Sequence, residues 1–169
     1  MEERTSPQYR AKHPRTIIAG PYGHPFHPIL VTIPIGTWVA SIVFDIIGFA
    51  AEDPKPYVVA ARVLILIGIV GAVAAALVGF LDYRQIAQGT AARRTATTHM
   101  ALNLGVTALF IVNVIVRWSA DDDDVSIIGF VLSLVGLAAL GLSGWLGGKL
   151  AYHYGVRVAD ESTQAEGFR

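Results

Sequence analysis

The sequence predicts an all-α integral membrane protein, a four-helix bundle whose N-terminus and C-terminus both lie in the cytoplasm. Three observations predict it. Of 169 residues, 53% are hydrophobic and 15% charged, and the mean hydropathy of +0.52 is too high for an ordinary soluble domain of this length. Four apolar segments each reach the about 20 residues that a helix needs to cross the hydrocarbon core. The arginines and lysines between them gather mostly on one side.

Residues 1–22 form a polar cytoplasmic tail with Arg4, Arg10, Lys12 and Arg15. The apolar segment that follows is too long and too little punctuated for a cleavable signal peptide, so it is expected to stay as the first span. The membrane domain covers 23–155, with spans at about 29–51, 58–81, 100–118 and 125–150, and 156–169 is a polar C-terminal tail. Glu52-Asp53-Pro54-Lys55-Pro56 separates the first two spans, Asp82 to Thr98 the second and third, and Asp121–Asp124 the last two. The first and third breaks are short, which predicts two antiparallel hairpins.

Orientation follows from the positive charges. The N-terminal tail, Arg84, Arg93 and Arg94 of the middle loop, and Lys149, Arg157 and Arg169 fall on one side, against Lys55, Arg62 and Arg117 on the other. The richer side is expected in the cytoplasm, and the chain in the inner (plasma) membrane. Trp118 and Tyr57 then mark the outer interface, and Tyr83, Tyr152 and Tyr154 the inner one. Small residues at near-helical spacing, Gly68, Gly71, Ala75 and Gly79 in the second span and Gly129, Ser133, Gly136, Gly141, Gly144, Gly147 and Gly148 in the fourth, predict close helix contact, within the bundle or between copies in a homo-oligomer.

Thirteen basic residues balance thirteen acidic ones, so no net field points to nucleic acid. Cysteine is absent, which excludes disulfides, thiolate ligands and thiol nucleophiles in this chain.

Four of the five histidines fall at the cytoplasmic level. His24 and His27 precede the first span, His99 opens the third, His153 follows the fourth, and Asp82 closes the second. Each helix therefore offers a polar group to one layer. Neutral imidazole is the commonest protein ligand for zinc, copper and iron, and a carboxylate nearby can ligate or fix its tautomer. A bis-histidine haem needs two imidazoles on opposite faces, which His99 with His27 or His153 would supply. A bare zinc or iron ion would take His27, Asp82, His99 and His153. Asn103, one helical turn from His99, is positioned to support it. Against this stands the plain reading that interfacial histidines cost little, and that His-Pro pairs only mark an extended approach to a helix. His13, in the tail, is expected to be solvated.

Asp45 and Arg62 lie at matching depth nearer the outside, which predicts an ion pair inside the bundle with Arg117 and Asn113 as neighbours. Asp121–Asp124 lacks the alternating ligands and glycine of a calcium loop and reads as a solvated turn.

The residues Gly23-His24-Pro25-Phe26-His27-Pro28, the span with Asp45, Gly79-Phe80-Leu81-Asp82, His99 with Asn103, and Gly147 through Val156 together resemble the bacterial membrane family catalogued as domain of unknown function 2231. The likeness runs from about Gly23 to Val158. That family has no established general activity. Relatives joined to Rieske-type or cytochrome c-type domains imply electron transfer or a b-type haem, with His24, His27, Asp82, His99, Asn103 and His153 as the residues carried over. The expectation is a membrane redox protein that binds haem b, or else zinc or iron, through the cytoplasmic histidine layer and works with a redox partner protein or a quinone. The alternatives are a non-catalytic subunit or scaffold of a larger membrane complex, and a small proton-linked transporter.

Overall fold

A computed structural model describes residues 6–169; Arg4 lies outside the described residues. A short helix α1 (Pro7–Lys12), capped by the Ser6 hydroxyl on the Tyr9 amide, leads through a 3-10 turn (Ile17–Ala19) to the first long helix. Four helices are long and apolar enough to cross a membrane: α2 (His27–Ala50), α3 (Lys55–Tyr83), α4 (Ala91–Trp118) and α5 (Ile127–Gly148), the last running on as a π-helical turn (Lys149–His153). A short α6 (Glu161–Gln164) follows.

Local chemistry sets the helix ends. Pro56 sits in the first turn of α3, where its missing N–H costs nothing. Thr90 caps α4 by accepting from the Arg93 amide, and Ser126 caps α5 by accepting from Gly129. The Thr90 cap places the start of α4 well before the predicted span. Its first turns, rich in arginine and threonine, are helical outside the apolar window, and the connection from α3 shrinks to 84–90. Arg93 closes that connection. Its guanidinium lies 3.5 Å from the Tyr83 ring centre and donates to the carbonyls of Tyr83 and Ile86.

Helices α2 and α3 form one hairpin and α4 and α5 the other, packed side by side with α3 against α4 and α2 against α5. The bundle buries polar side chains beside its apolar core and is apolar outside. Ser41, Asp45, Asn113 and Ser133 are fully buried, while Val70, Leu77, Ile127 and Ile128 are among its most exposed side chains. Water is the wrong solvent for that arrangement, and hydrocarbon the right one.

The centre is a stacked pair, Trp38 on Phe110, with ring centres 3.9 Å apart, and the Trp38 indole donates to the Ile65 carbonyl. The glycines serve as notches for these side chains. A methyl group on Gly68 would sit 2.2 Å from the Trp38 indole nitrogen, and one on Gly136 would sit 2.7 Å from the Phe110 ring. Gly71, Gly79, Gly129 and Gly147 receive Ile33, His27, Arg117 and His99 in the same way. Gly141 faces open space.

Candidate functional site

Beneath the Trp38–Phe110 stack, all four long helices line a cavity of about 460 Å³ that reaches the end carrying both chain termini. Its size falls in the usual cofactor range of roughly 300–1,000 Å³. Two histidines enter it from opposite hairpins. His27 opens α2 and places Nδ1 2.9 Å from the Ala75 carbonyl oxygen; His99, in α4, places Nδ1 2.9 Å from the Ser143 carbonyl oxygen. A carbonyl only accepts, so in each neutral ring Nδ1 carries the proton and Nε2 keeps its lone pair. That is the tautomer of a metal-ligating histidine oriented by a backbone carbonyl.

The two ring centres are 6.2 Å apart and the planes nearly perpendicular, at 88°. Metal–nitrogen bonds of about 2 Å on each side account for roughly 4 Å of that distance, and two imidazole radii supply the rest. The spacing fits one iron between two imidazoles.

Asn103 stands beside His99. Its amide nitrogen lies 2.7 Å from the Ser143 hydroxyl and 2.8 Å from the His99 carbonyl, with longer approaches to the ring nitrogens at 3.2 and 3.4 Å. An amide has two protons, and the two short bonds use both. Nε2 of His99 therefore has only the longer Asn103 approach at 3.2 Å.

The remaining expected site residues lie elsewhere. His24 is exposed on the loop before α2, 3.4 Å from the Tyr22 carbonyl, and does not line the cavity. His153 is exposed at the end of the π-helical turn, edge-on to Tyr154. The extra residue per turn there rotates the helix register, so a depth estimate from sequence misses its direction. Asp82 does line the cavity, but its carboxylate is tied to Arg157 at 2.9 Å. That contact is an ion pair without hydrogen-bond alignment, since Arg157 Nε and Asp82 Oδ1 both lack a hydrogen-bonding partner. The four-donor set His27, Asp82, His99 and His153 is thus not assembled. Among the described residues no three His, Cys, Asp or Glu side chains come close enough to hold an ion. The donor set fits a haem, which needs two protein ligands, better than bare zinc or iron, which needs more.

Arg157 belongs to a clamp over the same end of the bundle. With φ of 61°, it turns the chain so that its amide donates to Ala11 and its guanidinium to the carbonyls of Ala19 and Gly20. Gly20 must be glycine here, because a methyl group would meet the His24 carbonyl oxygen at 2.2 Å. Lys12 pairs with Asp160 at 3.1 Å, and the Tyr22 hydroxyl donates to the same carboxylate. These bonds, Lys12 first and Tyr22 second, hold the Asp160 carboxyl below its ordinary value. His13 is not simply solvated as expected. It stacks between Tyr9 and Tyr22, with ring centres at 3.8 and 4.4 Å.

The outer polar layer is paired differently from the sequence expectation. Asp45 meets Arg117, not Arg62, in a two-pronged bridge with bonds of 2.7 and 2.6 Å. Arg117 also donates to Asn113, and Asn113 to Ser133. Depth placed Asp45 and Arg62 level, but the Arg62 guanidinium turns outward, to the Arg117 carbonyl and the Asp122 carboxylate. Arg117, across the bundle, presents its planar fork to Asp45.

An internal two-fold repeat also went unread in the sequence. In α2 and α4 the same register relates His27 to His99, Trp38 to Phe110 and Asp45 to Arg117. In α3 and α5 it relates Gly68 to Gly136, Ala75 to Ser143 and Gly79 to Gly147. Each histidine thus binds the equivalent carbonyl and rests on the equivalent glycine of its own hairpin. Of these six matched pairs only three are identical, so the repeat is visible only when glycines are aligned with glycines and histidines with histidines across two hairpins.

Residues 23–160 match the family described as Predicted membrane protein (DUF2231). No curated protein and no solved structure matches the chain.

Proposed function

The chain therefore belongs to the DUF2231 family of predicted membrane proteins, and from the facing of His27 and His99 we propose that it is a membrane electron-transfer protein holding haem b between those two imidazoles. The supporting observation is the pair itself: perpendicular rings 6.2 Å apart, each with Nδ1 on a backbone carbonyl. Bound there, haem b supplies reversible one-electron transfer at iron. The carbonyls of Ala75 and Ser143 orient the two imidazoles and raise their basicity as ligands. Trp38, Leu104 and Leu140 give the cavity apolar walls, which keep water from the centre and favour the state of lower charge. The arginine bias supports a site near the cytoplasmic face of the inner membrane, in reach of a soluble redox partner or a quinone.

Absorption spectra of the purified chain, oxidised and then dithionite-reduced, test the reading. The expected result is a Soret band that sharpens and shifts on reduction, kept in His24→Ala and His153→Ala and lost in His99→Ala. Absence of that band in the wild type, both as purified and after haem is added back, would overturn it.

A further inference from the structure

The repeat makes the two histidines equivalent in register, yet they are held unequally. His99 lies within the unbroken helix α4. Its Nδ1 is 2.9 Å from the Ser143 carbonyl and 3.0 Å from the Ser143 hydroxyl, and Asn103 ties that hydroxyl to the His99 carbonyl. In the other hairpin the equivalent of Ser143 is Ala75 and the equivalent of Asn103 is Val31, neither of which has a polar side chain. His27 keeps one side-chain bond, to the Ala75 carbonyl.

The backbone differs as well. His27 is the first residue of its helix, and the opening turn His27–Leu30 is set off from Thr32–Ala50 at Val31. Proline causes the break, because Pro34 has no N–H to offer the Leu30 carbonyl. Directly upstream, Gly20 and Gly23 have φ of 87° and 78°. On the α3 side, Ala72, Ala75, Ala76 and Gly79 line the cavity with small side chains.

We propose that His99 is the fixed ligand and His27 the yielding one, so that the site takes up a small neutral ligand such as carbon monoxide on the His27 side. This rests on the haem reading above. The exchange moves no electron or proton: the dative bond from the His27 nitrogen breaks, one from the incoming carbon forms, and the imidazole leaves neutral. Asn103 and Ser143 act as positioning residues that keep His99 in place during it.

The experiment is carbon monoxide binding to the dithionite-reduced, haem-loaded protein, followed by its difference spectrum. Wild type is expected to bind it with a dissociation constant raised by competition from His27. In His27→Ala the haem is expected to remain, with at least tenfold tighter carbon monoxide binding, whereas His99→Ala retains little haem. Exchanging the supports, Asn103→Val with Ser143→Ala, should speed haem loss several-fold while leaving the helical circular dichroism unchanged. A wild-type Soret band that ignores saturating carbon monoxide, or equal haem loss in His27→Ala and His99→Ala, overturns the inequality but leaves the haem reading standing. Absence of any Soret band in wild type removes both.

Discussion

Replacing Arg117 by methionine removes the cation from the most enclosed charged pair in the bundle. Asp45 is 0% and Arg117 2% exposed, so the carboxylate left behind has no water to turn to. Breaking a buried pair from one side costs about 3–5 kcal/mol. In a chain of this length each kcal/mol moves the melting temperature by about 2–4 °C, so Arg117→Met should melt roughly 6–20 °C lower in detergent, followed by circular dichroism at 222 nm. Arg62→Met is the internal comparison. Its partner Asp122 has a side chain 34% exposed and can rehydrate, so the loss should stay well below that of Arg117→Met. A second comparison is Asp45→Leu combined with Arg117→Met. Asn113, which donates to Ser133 at 2.8 Å, should keep that partner, no charge is stranded, and at least half of the lost stability should return. Equal melting of the Arg62 and Arg117 variants, or a double variant no better than Arg117→Met alone, would refute the assignment of Arg117 as the partner of Asp45.

The glycine notches differ in tightness, which grades their expected effects. In Gly68→Ala the new methyl would meet the rigid Trp38 indole at 2.2 Å, and overpacking of about 1–3 kcal/mol should appear as a lower melting temperature, with intrinsic tryptophan emission shifted. Gly79→Ala places a methyl 2.7 Å from His27 Nδ1, whereas Gly147→Ala places one 3.2 Å from a His99 ring carbon. The melting temperature in detergent should therefore fall further in Gly79→Ala; the reverse order would contradict the notch geometry. For the terminal clamp, Lys12 and Tyr22 lower the Asp160 pKa, so the folded state is favoured above the unfolded carboxylate value of about 3.9 and that contribution disappears as pH falls through the lower folded value. Protease protection of the N-terminal segment should accordingly be constant from pH 8 to 5. Release within that window would assign the clamp to another group.

The membrane architecture was legible because it depends on one-dimensional quantities. Segment length, apolar content and short breaks determine four helices and two hairpins, and the structure adds only the early start of α4, which Thr90 capping explains. Depth was legible too: it put His27 and His99 at one level, where their rings lie 6.2 Å apart, with Asn103 one turn away. Direction around each helix was not. His153 fails through a π-helical turn, His24 through the loop before the helix, and Asp45 through a partner two helices away. All three depend on azimuth, which an apolar helix surrounded by lipid hardly records, since its outward face and much of its inward face are equally hydrophobic. The glycines were read as surfaces for backbone contact. Six of them instead receive a particular side chain from the neighbouring helix of the same hairpin, a specificity that spacing alone does not carry.

The two-fold repeat sets three matched levels in the bundle. An axis between the hairpins brings equivalent positions of α2 and α4 face to face at three levels. At the middle level the pair is Trp38 and Phe110, which stack and fill the bundle. At the outer level it is Asp45 and Arg117, opposite charges that satisfy each other and leave no free donor or acceptor for a guest. Only at the level nearest the chain termini is the pair chemically identical: two imidazoles, each with Nδ1 already engaged by a carbonyl and so unable to donate to the other through Nε2. A metal centre, on the proposed function, would accept a lone pair from each. On the proposed function, a single centre at one end, separated from the outer face by a filled aromatic layer and a closed ion pair, has no second centre to carry electrons across the bilayer. Donor and acceptor must then both reach it from the cytoplasmic half of the membrane.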